Sequence, residues 1–232
     1  MFQLPFAHVM KPILLDSFPV WLYYPSMIKW KIQQRNLLDK TKVAYLISTI
    51  NASLIIEMAT FWEGIVFEMQ SEIFFDRFGQ GADGFHESLN RYFDKKLSNA
   101  TWTTYIEYFD LLIGGKLANK IENENWKAIQ VMFNFRNMLV HGKEIEVQYY
   151  DDNGRLHADS PYGFNKTFQF LNEKKLLDLS FKPHMNTVDM LNESVVNFFY
   201  ANVIQFIESL FDIFPDSEVG ELKKNFKDCL LY

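Results

Sequence analysis

The chain has 232 residues, 48% of them apolar and 17% aromatic. Such a composition excludes a disordered chain and allows one domain with a full core. The single Cys excludes an internal disulfide framework and fits a reducing compartment, and the net charge of −6 argues against charge-driven binding of duplex DNA, leaving room for a local basic cleft.

Residues 1–36 read as an aromatic, Pro-punctuated N-terminal arm (F-P-V-W-L-Y-Y-P-S-M-I-K-W) without a sustained period. Such an arm packs over a bundle or onto a partner subunit. Pro5, Lys11, Pro12 and Pro19 interrupt any signal-peptide core, and no small-residue cleavage site follows. Residues 37–232 read as one helical domain. From about Asp39 to Phe78 the pattern is helical and apolar on nearly every face, which marks a buried, organising helix. Its window Val43–Met69 is apolar enough to suggest a membrane span, yet it holds Asn51, Glu57, Glu63 and Glu68. Carboxylates are costly in hydrocarbon, so the expectation is a central helix of a cytoplasmic protein with no membrane partner.

G79-Q-G-A-D-G84 matches a dinucleotide-binding pattern by letter, but a long helix precedes it where the mechanism needs a strand. A loop is the better reading, and no cofactor is expected. Two shorter helices follow, near His86–Leu97 and Thr101–Ile113. The next spans Glu124 to His141, with Asn123 or Asn125 as N-cap and Gly142 in the position just past its end.

The period then changes. E-I-E-V-Q-Y-Y alternates like a strand, D-D-N-G is a hairpin-type turn, and T167-F-Q-F-L171 reads as a returning strand. The fold class expected is all-α, a helical bundle with a small β-hairpin insertion at about 144–171. Asp151 to Asp159 fits neither calcium-loop nor zinc spacing, so no metal is expected. His8, His86 and His184 stand alone in sequence, and Cys229 has no activating neighbour. A last long helix is predicted over 187–214, stopped by Pro215, before a charged terminal helix.

The chemistry concentrates in R136-N-M-L-V-H141. On a helical wheel Ala128, Val131, Met132, Phe135, Met138 and Leu139 form a core stripe. Asn137 and His141, four apart, share the opposite face and can hydrogen-bond, with Arg136 on the flank. Phe133 and Val140 lie off the stripe beside this polar trio, which predicts a covering partner and makes them candidate dimer-interface residues. His141 at a helix C-terminus favours imidazolium and can move protons near neutral pH. Arg136 offers a forked cation for a phosphate, and Asn137 can fix the imidazole plane. With RNA the nucleophile would be the substrate's own 2′-OH. A snorkelling Arg and a helix-terminal His are also ordinary in structural proteins.

A helix that closes on R136-N-M-L-V-H141 inside a helical domain resembles the HEPN superfamily, whose R-x4–6-H motif marks its RNase members. The resemblance covers about residues 39–214 and implies a metal-independent endoribonuclease. Its site would form between two protomers of a homodimer, with Arg136, Asn137 and His141 as catalytic residues. It also implies RNA as substrate, a toxin–antitoxin or anti-phage setting, and an antitoxin or regulatory partner. Lys143 stands where some family toxins carry a modified Tyr, and is a supporting candidate. Several members have an acidic residue on the first long helix; Glu57 is the expected partner of Arg136, with Glu63 and Glu68 as alternatives. The other reading is a catalytically silent HEPN module that binds a partner protein or nucleotide.

Overall fold

A computed structural model describes residues 20–39, 43–78, 84–97, 100–142, 146–152, 155–159, 165–178 and 184–231. Helix dominates it. A 3-10 turn at Val20–Tyr23 leads into α1 (Tyr24–Asn36), followed by α2 (Ala44–Phe78), α3 (Gly84–Leu97), α4 (Trp102–Ile113) and α5 (Asn123–Val140). After the strands come α6 (Asn165–Glu173), α7 (Thr187–Met190), α8 (Glu193–Ile213) and α9 (Asp216–Leu231). The described part of the aromatic arm is therefore helical, and α1 lies against α2 and α9. Residues 1–19 of the arm, and His8 with them, lie outside the described residues, as does the loop 79–83.

The organising element is α2, whose 35 residues touch α1, α3, α4, α5, α8 and α9. Being apolar on most faces, it buries Leu54, Met58, Phe61, Trp62, Ile65, Val66 and Met69 in the middle of the bundle. By length and composition this helix could also cross a bilayer; in the bundle the side-chain amides of Asn51 and Gln70 donate to backbone carbonyls. Asn51 donates to the Leu191 carbonyl at 2.7 Å, and Gln70 donates to the Tyr105 carbonyl at 2.6 Å. Gly64 lets Trp21 lie against the helix. A Cβ there would stand 2.9 Å from the Trp21 Cβ, closer than carbon atoms tolerate.

Two expected boundaries move. The N-cap of α5 is Glu122, not Asn123 or Asn125; Asn125 is buried inside the helix and donates to Asn202. The helix expected over 187–214 is interrupted: α7 ends at Met190, and Asn192 caps α8 by accepting from the Val195 N–H at 3.0 Å. A polar cap residue competes with helix continuation, which explains the break.

The returning strand expected at 167–171 is not a strand. Those residues belong to α6, where Thr167, Phe168, Phe170 and Leu171 are buried. The spacing of these four fits a helical face as well as an alternating one, and burial against α5 selects the helix. The strand Glu146–Asp152 (β1) instead pairs antiparallel with Arg155–Asp159 (β2), Asp152 opposite Arg155, and with His184–Asn186 (β3) on its other side. Asn153 and Gly154 of the expected turn lie outside the described residues.

Candidate functional site

The stripe along α5 faces the core as its period requires: Ala128, Val131, Met132, Phe135 and Met138 are buried and Leu139 is half-buried. The helix ends at Val140. His141 follows as its C-cap, with its backbone N–H donating to the Asn137 carbonyl at 3.1 Å. Gly142 then turns left-handed at φ 58° and donates to the Leu139 carbonyl at 3.1 Å. A left-handed residue is the ordinary way to satisfy a helix end, and glycine adopts it without steric cost.

Arg136 and Asn137 therefore sit near the C-terminal end of α5 and His141 on its C-cap, Asn137 and His141 exposed and Arg136 half-buried. The Asn137 side chain does not hydrogen-bond the His141 imidazole as expected. Its Oδ1 accepts from Arg136 Nη1 at 2.9 Å. The other terminal nitrogen, Nη2, lies 3.7 Å from Glu63 on α2, and Arg136 Nε is buried with no hydrogen-bond partner. The carboxylate beside Arg136 is thus Glu63 and not Glu57. Glu57 pairs with Lys31 of α1 and accepts from Ser53 at 3.3 Å. Glu68, the third candidate, accepts from the Trp21 indole N–H. Lys143 lies outside the described residues.

Burial raises the Glu63 carboxyl above its usual range, and the nearby Arg136 only partly offsets this. Tyr105 of α4 was not singled out from the sequence, because only the folded chain brings α4 to this carboxylate. Burial, with Glu63 adding to it, pushes its phenol up to about 12. Tyr105 stays neutral over the physiological range. Glu68 is likewise raised by burial, against the pull of its bond to Trp21. The arrangement is one fork-shaped cation, its orientation set by a carboxylate and an amide, one turn from an exposed imidazole. A cation held in this way can meet an anionic group without first reorganising.

Phe133 is not on an outward face. It is 5% exposed and lies edge-on to Trp62 at 5.2 Å between ring centroids, with Trp102 at 5.3 Å. Val140 is outward, at 51% exposure. Of the two residues expected at a dimer interface, only Val140 is at the surface. Comparison of the chain with protein-family models, curated proteins and solved structures gives no match.

Proposed function

We propose that the protein is a metal-independent endoribonuclease of HEPN type that acts as a homodimer. The observation that carries the reading is the Arg136 guanidinium, oriented by Asn137 and Glu63 and one helical turn from the exposed His141. In the proposed step the substrate's 2′-oxygen attacks the adjacent phosphorus and the bond from phosphorus to the 5′-oxygen breaks. The proton lost from the 2′-OH passes to a His141 imidazole, and an imidazolium supplies the proton that the leaving 5′-oxygen takes up. Arg136 offsets the charge that builds on the phosphoryl oxygens. The nucleophile comes from the substrate, so no bound metal is needed to generate one. The products are a 2′,3′-cyclic phosphate and a 5′-hydroxyl. The proposed setting is the cytoplasm, in a toxin–antitoxin or anti-phage system.

Incubation of the purified protein with bulk RNA in EDTA tests this reading. Expected are cleavage with cyclic-phosphate ends, no cleavage of DNA, and protection of RNA by a 2′-deoxy substitution at the cut site. Chelator-sensitive cutting, or equal cutting of DNA, overturns the mechanism. The half-buried Glu63–Arg136 pair also favours a second reading, in which Arg136 anchors α5 to α2 in a silent module. A wild-type protein that never cuts RNA would support the second.

A further inference from the structure

From Asn125 to Gly142 the α5 segment carries no Asp or Glu, in a chain with 29 acidic residues against 23 basic ones. Its outward polar side chains are amides and cations. At about 100° per residue, Trp126, Gln130, Asn134, Asn137 and His141 recur every three or four positions and share the arc opposite the core stripe. Gln130 and Asn134 are exposed, as is Lys127 on the flank beyond Asn134, and Trp126 is half-buried. The Trp126 ring is braced by Trp102 of α4, edge-on at 5.4 Å between centroids, and by Phe206 of α8 at 6.0 Å. Arg136 and Val140 fall on the opposite flank, so the arc is offset from the apolar side chain that a second copy would cover.

Neutral amides between two flanking cations suit a strand that offers both phosphates and unpaired base edges. Each amide presents a donor and an acceptor to a base edge, and an indole takes a base by stacking whatever its identity. A duplex hides those edges, and a carboxylate on the arc would repel phosphates. We infer that single-stranded RNA runs along the outward arc of α5. The cut phosphodiester lies at Arg136 and His141, and Asn134 and Gln130 bond the edges of flanking bases. Lys127 meets a backbone phosphate, and a base stacks on Trp126, about 20 Å along the helix from His141. The position of the cut rests on the ribonuclease reading; binding along the arc is measured without cleavage.

Fluorescence anisotropy of the full chain in EDTA tests the inference. The probe is an end-labelled, mixed-sequence RNA strand of about 12 nucleotides, with 2′-methoxy groups that block cleavage. The double variant Gln130→Ala, Asn134→Ala is expected to weaken binding on the order of 10-fold, and Trp126→Leu by a similar factor or more. On unmodified RNA the loss should appear in KM and not in kcat. The probe annealed to its complement should bind more weakly than the single strand. The amide pair is exposed, so the double variant should melt like wild type and serves as the control if Trp126→Leu fails to fold. Wild type that binds no RNA, equal binding of the duplex, or undiminished binding by the double variant overturns the inference. So does a double variant that sediments as a monomer where wild type is a dimer, which would make the arc a contact between copies. Wild type that binds through these residues but never cuts supports the arc and removes only the ribonuclease reading.

Discussion

Arg136 Nε is buried without a partner while its two terminal nitrogens face Asn137 and Glu63, so its removal touches stability as well as any chemistry. Arg136→Ala leaves Glu63 without its cation. Because both side chains are about a quarter exposed, solvent screens the loss, and about 1 kcal/mol is expected from a denaturant melt. The rate of RNA cleavage should fall on the order of 10²-fold or more. His141→Ala removes an exposed C-cap side chain and should change stability by less than about 0.5 kcal/mol. A similar rate loss with an unchanged melt separates an enzyme from a silent module. Asn137→Ala should reproduce a milder form of Arg136→Ala, because its amide holds the guanidinium and not the imidazole. Glu63 and Glu68 add a pH signature. Both have folded-state pKa values raised above the ordinary 4.5 by burial, so between that value and their folded values the native state holds more protons than the unfolded state. Stability must then fall as pH rises through this window. Glu63→Gln should flatten its share of that slope, which melts at a series of pH values would read directly. An unchanged slope would mean that Glu63 ionises as it does in the unfolded chain.

Between α5, α2 and α4 the contact is an aromatic cluster of Trp62, Trp102 and Phe133. Phe133→Ala should cost about 3–5 kcal/mol through the cavity it opens, and it should do so without altering subunit association. A loss of association with the melt intact would return Phe133 to the surface role its wheel position implies. The periodic stripe of α5 was legible because five of its six positions obey one period against one core. Phe133 was not legible. It lies off that stripe, and α4 wraps the flank with Trp102, a neighbour that no wheel of α5 can include. Glu57 was misassigned for a related reason. Its wheel sector looks inward when the preceding residues are read as an irregular arm, but those residues form α1, whose Lys31 meets the carboxylate. Short runs such as T167-F-Q-F-L171 satisfy both periods, so burial against α5 had to decide between them. N-capping was not legible: Thr101, read as the first residue of its helix, is the N-cap of α4, its Oγ1 accepting from the Thr104 N–H.

At the scale of the whole molecule each chain ends α5 with one Arg136 and one His141, and an imidazole that takes the proton of the 2′-OH can hand it on to the leaving 5′-oxygen, so the proposed chemistry needs one of each residue but not from the same chain. A two-fold interface through the last turn of α5 would bring two such ends together, and Val140, exposed at 51% beside Asn137 and His141, is an apolar side chain available to be covered there. Sedimentation should therefore find a dimer at micromolar concentration. Val140→Glu places two like charges across the axis and should give monomers that melt like wild type but do not cut RNA. Subunit mixing goes further. His141→Ala and Arg136→Ala are each expected to be inactive as homodimers, but a mixed dimer holds one intact His141 and one intact Arg136 in separate chains. If each site draws its groups from both protomers, mixing two dead proteins should restore measurable cleavage, rising with the fraction of mixed dimers. If each protomer carries its own complete site, no mixture of the two can recover activity, because neither chain holds both residues.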